Sequence, residues 1–120
     1  MLINELSKKT GISIHTIRYY ENLGLIKGTT DESVKTNNYK YYDESVVERL
    51  EIIVEAKEVG FTLAEIRELL KSWFENNKSK SETKALFQTK IQEIEEKIKQ
   101  FKLIKKRLEM VLDTIDIVEC

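Results

Sequence analysis

The apolar positions of this chain follow two rhythms. Up to residue 75 they come in short helix-length bursts separated by glycine-containing corners, and from Phe87 onward they recur in a four-and-three alternation. The polar run Asn76-Asn77-Lys78-Ser79-Lys80-Ser81 interrupts the apolar pattern and reads as a hinge between them. The first burst, Ile3-Asn4-Glu5-Leu6-Ser7-Lys8-Lys9, predicts a helix that stops at Thr10-Gly11, after which Ser13 is placed to cap the next one. In that next helix Ile14, Ile17 and Tyr20 share one side and leave His15, Thr16, Arg18 and Tyr19 on the other. Hydrogen-bonding and cationic groups then face outward together. Two short helices joined by such a turn form a helix-turn-helix, whose second member enters the DNA major groove. The plainer reading is an ordinary helical hairpin with a polar face.

Residues 27–38 are polar and turn-rich, and Tyr39-Lys40-Tyr41-Tyr42 reads as a short aromatic β-strand, so two strands and a loop make a small wing. Lys35 and Lys40 are expected near phosphates, Tyr39 is expected to donate through its hydroxyl, and Tyr41 is expected to plug the core. Asp43 then caps a helix through about Val59, with Val46, Val47, Leu50, Ile53 and Val54 as its apolar stripe and Gly60 as its stop. Thr62-Leu63-Ala64-Glu65 has capping-box spacing, and Ile66, Leu69, Leu70 and Trp73 or Phe74 continue on one face. This second helical pair completes the core, with Arg49 or Arg67 able to touch backbone phosphate at the edge of the site.

From Phe87 the stripe runs through Ile91, Ile94, Ile98, Phe101, Leu108, Leu112 and Ile115, with Lys105 in the one missing position. Four heptads in that register predict a coiled coil. Burying a Leu- or Ile-sized side chain contributes roughly 1.5–3 kcal/mol, so the seam supplies on the order of 10 kcal/mol before entropy is subtracted. Dimerisation is therefore expected. Lys105 in the seam either fixes register or orientation, or snorkels to solvent. Leu103, Ile104, Met110, Val111, Ile117 and Val118 widen the stripe. That breadth fits packing against the partner's second helical pair or a small apolar effector site between subunits.

The spaced set Thr10-Gly11, Ser13, Thr16 to Glu21, Gly24-Leu25-Ile26, Tyr39 to Tyr42 and Gly60 to Leu63 resembles the amino-terminal domain of MerR-family transcription regulators, over about Leu2 to Leu70. The resemblance implies a mainly α protein: a winged helix-turn-helix DNA-binding domain with a second helical pair (residues 1–76), a hinge (77–81), and a long helix (82–120) forming an antiparallel coiled coil in a homodimer. It further implies binding to double-stranded promoter DNA, a change of promoter shape when an effector arrives, and RNA polymerase as a partner there. On the matching positions, DNA contacts fall to Ser13, His15, Thr16, Arg18, Tyr19, Lys35, Tyr39 and Lys40. The family tends to have glycine before the wing tyrosine and arginine after it, where this chain has Asn38 and Lys40. Asparagine tolerates left-handed backbone, whereas lysine keeps the charge and loses the bidentate fork.

Composition narrows the alternatives. The 120 residues suffice for one compact domain plus one extended element, so no large effector module is expected. With 34% charged residues and no proline, the fold should be helix-dominated. A net charge of −1 hides a local bias: residues 1–42 carry six Lys/Arg against four Asp/Glu, while 43–81 carry six against nine. Phosphate attraction acts over about 8–10 Å at physiological salt, so the acidic middle does not forbid DNA binding. There is no apolar run of about 18 residues and no cleavable leader pattern, which points to the cytoplasm.

Enzyme chemistry has little purchase: the single histidine is His15, and no phosphate loop or carboxylate–nucleophile motif is present. No cofactor is expected. Metal-sensing members of the resembled family use several cysteines, one of them at the start of the stalk. This chain has Ser79 and Ser81 near that place and only Cys120, so no metal site is expected unless two chains share Cys120. The rival from another class is a coiled-coil adaptor that does not bind DNA, and salt dependence separates the two.

Overall fold

The computed structural model describes residues 1–30, 40–75 and 79–118. It comprises α1 (Ile3–Thr10), α2 (Ile14–Asn22), β1 (Thr29–Thr30), β2 (Lys40–Tyr41), α3 (Glu44–Glu58), α4 (Leu63–Phe74) and α5 (Lys80–Val118). The chain divides into two units, Met1–Ser79 and Lys80–Cys120.

Local chemistry sets the ends of the helices in the first unit. Gly11 ends α1 at φ 75°, a left-handed conformation that only glycine adopts without strain, and its N–H returns to the Ser7 carbonyl. Two residues later the Ser13 hydroxyl accepts the Thr16 N–H, so α2 begins almost at once. Asp43 caps α3 by accepting from both the backbone and the hydroxyl of Ser45, and these hydrogen bonds hold its carboxyl below the usual carboxylate range. Thr62 and Glu65 cap α4 reciprocally: the threonine hydroxyl takes the Glu65 N–H, and the glutamate takes the Thr62 N–H at 2.8 Å.

Helix α1 packs on both α2 and α3, and α3 packs on α4. Leu6, Ile17, Leu50, Ile53 and Ile66, contributed by all four helices, are completely buried together with Leu25. The two wing strands pair antiparallel, Thr29 opposite Tyr41 and Thr30 opposite Lys40.

Three sequence expectations change. The core plug is Tyr42, not Tyr41: Tyr42 is 2% exposed and Tyr41 is 45% exposed. Adjacent strand residues point to opposite faces, so a one-position error in phase inverts the assignment. Val54 and Trp73 face solvent, while Ala56 joins the buried stripe of α3. Finally, α5 starts at Lys80, which makes the last two residues of the expected hinge helical; residues 76–78 lie outside the described set.

The second unit is one helix of 39 residues, about 58 Å long at a rise of about 1.5 Å per residue. Its expected seam residues Ile91, Ile94, Ile98, Phe101, Leu108, Leu112 and Ile115 are 39–67% exposed in the single chain. Lys105 forms an i,i+4 ion pair with Glu109 at 3.8 Å, both side chains largely solvated in the single chain. Among the described residues no helix is long and apolar enough to cross a membrane.

Because Leu50 is fully enclosed, Leu50→Ala should lower the stability of the first unit by about 2–5 kcal/mol. Urea unfolding followed by circular dichroism, with α5 present in both proteins, measures the difference.

Candidate nucleic-acid interface

Helix α2 is short, and its two faces are chemically distinct. Ile17 and Tyr20 are buried, whereas His15, Arg18 and Tyr19 are exposed and Thr16 is partly so. The Thr16 hydroxyl oxygen receives the Ser13 hydroxyl hydrogen at 2.9 Å and keeps its own hydrogen to donate. Ser13 and Thr16 therefore organise the start of the helix, and His15, Arg18 and Tyr19 project from it. Tyr19 also meets the Tyr20 ring at a tilt, with centroids 6.0 Å apart.

The wing is fastened to the far end of α2 by one carboxylate. Glu21 Oε1 accepts the Tyr42 hydroxyl at 2.5 Å, and Oε2 accepts the Lys40 ammonium at 2.9 Å and the Gly28 N–H at 3.4 Å. Gly28 is required at its position for space: a Cβ there would come within 2.8 Å of the Tyr42 ring. The ring therefore lies directly on the backbone of residue 28, which brings its hydroxyl to Glu21. The end of β2 is tied down again at Tyr42, whose N–H donates to the Met1 carbonyl at 2.7 Å while its carbonyl accepts from the Met1 amine at 2.8 Å.

These contacts shift both titrating groups. Burial pushes the Glu21 carboxyl up, but the hydrogen bonds from Tyr42, Lys40 and Gly28 and the Lys40 charge outweigh it and leave the pKa lowered. Burial, then the hydrogen bond and charge of Glu21, raise the Tyr42 hydroxyl far above its ordinary range, against a smaller opposing effect of Arg18. Arg18, Glu21, Lys40, Asn4, Asn22 and Tyr42 line a groove of about 350 Å³ with Leu2 and Ile3.

Of the expected contact residues, Arg18 and Lys40 thus meet in one groove, and His15 and Tyr19 extend the same helix. Lys35 and Tyr39 lie outside the described residues. The two edge arginines are engaged within the protein: Arg49 sits 4.5 Å from the Phe74 ring centroid, and Arg67 Nη2 donates to the Leu23 carbonyl at the end of α2. Glu21 falls within the run that carries the family resemblance, but its local sequence assigns it no role of its own. Its signal was the acid in Arg18-Tyr19-Tyr20-Glu21, one turn after Ile17 and at the edge of the apolar face.

Since the folded Glu21 carboxyl titrates below its ordinary value of 4.5, the unfolded chain takes up a proton first as the solution is acidified. Its contribution is present above pH 4.5 and is lost as pH falls through the lowered folded value. Glu21→Gln should flatten that limb of the stability profile, measured by urea midpoints between pH 3 and 7. Gly28→Ala should destabilise the first unit at every pH in the same series, by pushing Tyr42 off Glu21.

Comparison with known proteins agrees with this geometry. The description "MerR HTH family regulatory protein" matches residues 1–73, and "MerR, DNA binding" matches residues 47–111. The transcriptional regulator HmrR of Sinorhizobium medicae is 38% identical over 99 residues, covering 82% of this chain and 65% of that protein. The chain therefore spans just under two-thirds of the length of that relative. The mercuric resistance operon regulatory protein of Bacillus cereus is 38% identical over 124 residues, covering 98% of this chain and 90% of that protein. Among solved structures, the regulator PbrR691 of Ralstonia metallidurans in complex with lead(II) superposes with a TM-score of 0.78 at 30% identity, over 90% of this chain and 82% of that one. Among the described residues no three His, Cys, Asp or Glu side chains group as a metal site, and Cys120 lies outside them. With the capped helix pair, the pinned wing and the long terminal helix all in place, the chain belongs to the MerR family of helix-turn-helix regulatory proteins.

Proposed function

We propose that the chain acts as a homodimeric transcriptional regulator that binds a palindromic promoter element and distorts it in response to an effector. The observation that carries this reading is the groove shared by Arg18 of α2 and Lys40 of the wing, flanked by exposed His15 and Tyr19. Two cationic groups on separate elements, held by one scaffold, suit a backbone contact on one side and base edges on the other. Lys35 and Tyr39 extend the wing contact in this proposal.

Dimerisation follows from α5. A solvated helix of this length with apolar side chains repeating every 3.5 residues gains by pairing, and Ile91, Ile94, Ile98, Phe101, Leu108, Leu112 and Ile115 form the seam. Paired heads held at a fixed separation read two half-sites, and the twist of the DNA between them becomes part of recognition. A change of that twist on effector binding would set how RNA polymerase engages the promoter. A metal effector is a second reading, favoured by the mercuric and lead(II) names of the relatives. With one cysteine per sequence, it would need two chains to share an ion through Cys120.

The test uses a palindromic duplex selected from a random library by the purified protein. Affinity should fall steeply between 50 and 200 mM salt, with a log–log slope of about −0.9 per phosphate engaged. Arg18→Ala should abolish specific retention while sedimentation still reports a dimer. Unchanged binding by that variant, or salt-independent binding, would defeat the DNA reading and favour an adaptor. Ile98→Asp should convert the dimer to monomers in the same sedimentation experiment, because a carboxylate in the seam has no partner to offset its desolvation.

A further inference from the structure

Arg18 and Lys40 line the same groove in different states. Arg18 makes no ion pair with another described residue, whereas the Lys40 ammonium is held 2.9 Å from Glu21 Oε2. The two oxygens of Glu21 have unequal partners. Oε1 receives the hydroxyl of Tyr42, a ring that is 2% exposed and confined by the backbone of Gly28. Oε2 receives a lysine whose side chain is 49% exposed, although Glu21 itself is only 12% exposed. Breaking the first bond means moving a buried ring. Opening the second requires only rotation of a half-exposed four-carbon stem that carries its ammonium out to water.

We infer that Glu21 is a positioning residue that gates the wing: it keeps Lys40 from arbitrary phosphates and releases it only when the head is seated in register on its DNA. This rests on the DNA reading proposed above. When Lys40 leaves, the carboxylate stays beside a polyanion with only Tyr42 and Gly28 to satisfy it, which opposes release. The exchange becomes favourable where the wing is placed so that the ammonium makes a direct phosphate contact, its strongest alternative partner. A loosely docked, sliding head never reaches that geometry. The contact therefore adds to the affinity for the right site and not to the affinity for DNA in general, which is how a repulsive element produces selectivity.

Fluorescence anisotropy with the selected palindrome and with a random-sequence duplex of equal length, each over a salt series, tests this. Lys40→Met should reduce the slope on the palindrome by about 0.9 and leave the slope on the random duplex unchanged. Glu21→Gln should do the reverse. Binding to the random duplex tightens about fivefold at 0.15 M salt, the worth of one further phosphate contact, and the gain disappears in the Lys40→Met background. A Lys40→Met variant whose two slopes fall equally overturns the gate, and so does a folded Glu21→Gln variant with unchanged or weaker random binding. Should Glu21→Gln fail to fold, the two Lys40→Met slopes decide alone. Wild-type protein that binds neither duplex overturns the DNA reading and the gate with it; wild-type binding with parallel slopes overturns the gate only.

Discussion

The hydrogen bond between the buried Tyr42 hydroxyl and Glu21 Oε1 is the constraint on which the geometry of the head depends. A two-stranded ribbon with two described residues per strand does not hold its own orientation in water. It acquires one here because its last aromatic side chain enters the core and its hydroxyl ends on a carboxylate of α2. The interaction is placed by steric subtraction, since residue 28 has no Cβ to keep the ring away. Without that clearance the backbone bonds between Met1 and Tyr42 would still anchor the end of β2, but the ring could not set the wing against α2.

The helices were legible because their ends are written in short-range chemistry. Ser13, Asp43 and Thr62 each sit where a hydroxyl or carboxylate satisfies backbone N–H groups, and Gly11 and Gly60 each adopt positive φ at a corner. The wing was harder to read. In Tyr39-Lys40-Tyr41-Tyr42, three aromatic residues compete for one inward position, and nothing local decides the phase. The decision comes from Gly28 and Glu21, at sequence separations of 14 and 21 residues from Tyr42. The roles of Arg49 and Arg67 were hidden for the same reason: a cation on a helix surface looks available until its neighbours are placed, and here these are Phe74 and the Leu23 carbonyl.

Charge in this protein is organised locally. The sequence is nearly neutral, yet the groove gathers two cations around one carboxylate, and the acidic residues of α3 and α4 are spread over other surfaces. Along α5, Lys105–Glu109 and Lys90–Glu93 pairs hold opposite charges one turn apart, so the helix carries no strong field of either sign. In the proposed dimer, partner choice would rest instead on the spacing of its apolar residues.

The Arg67 guanidinium reaches from α4 to the last carbonyls of α2, where the helix macrodipole is negative. A cation there ties the end of one helix to the flank of another. The side chains that project from α2 are thereby tied to the position of the second helical pair.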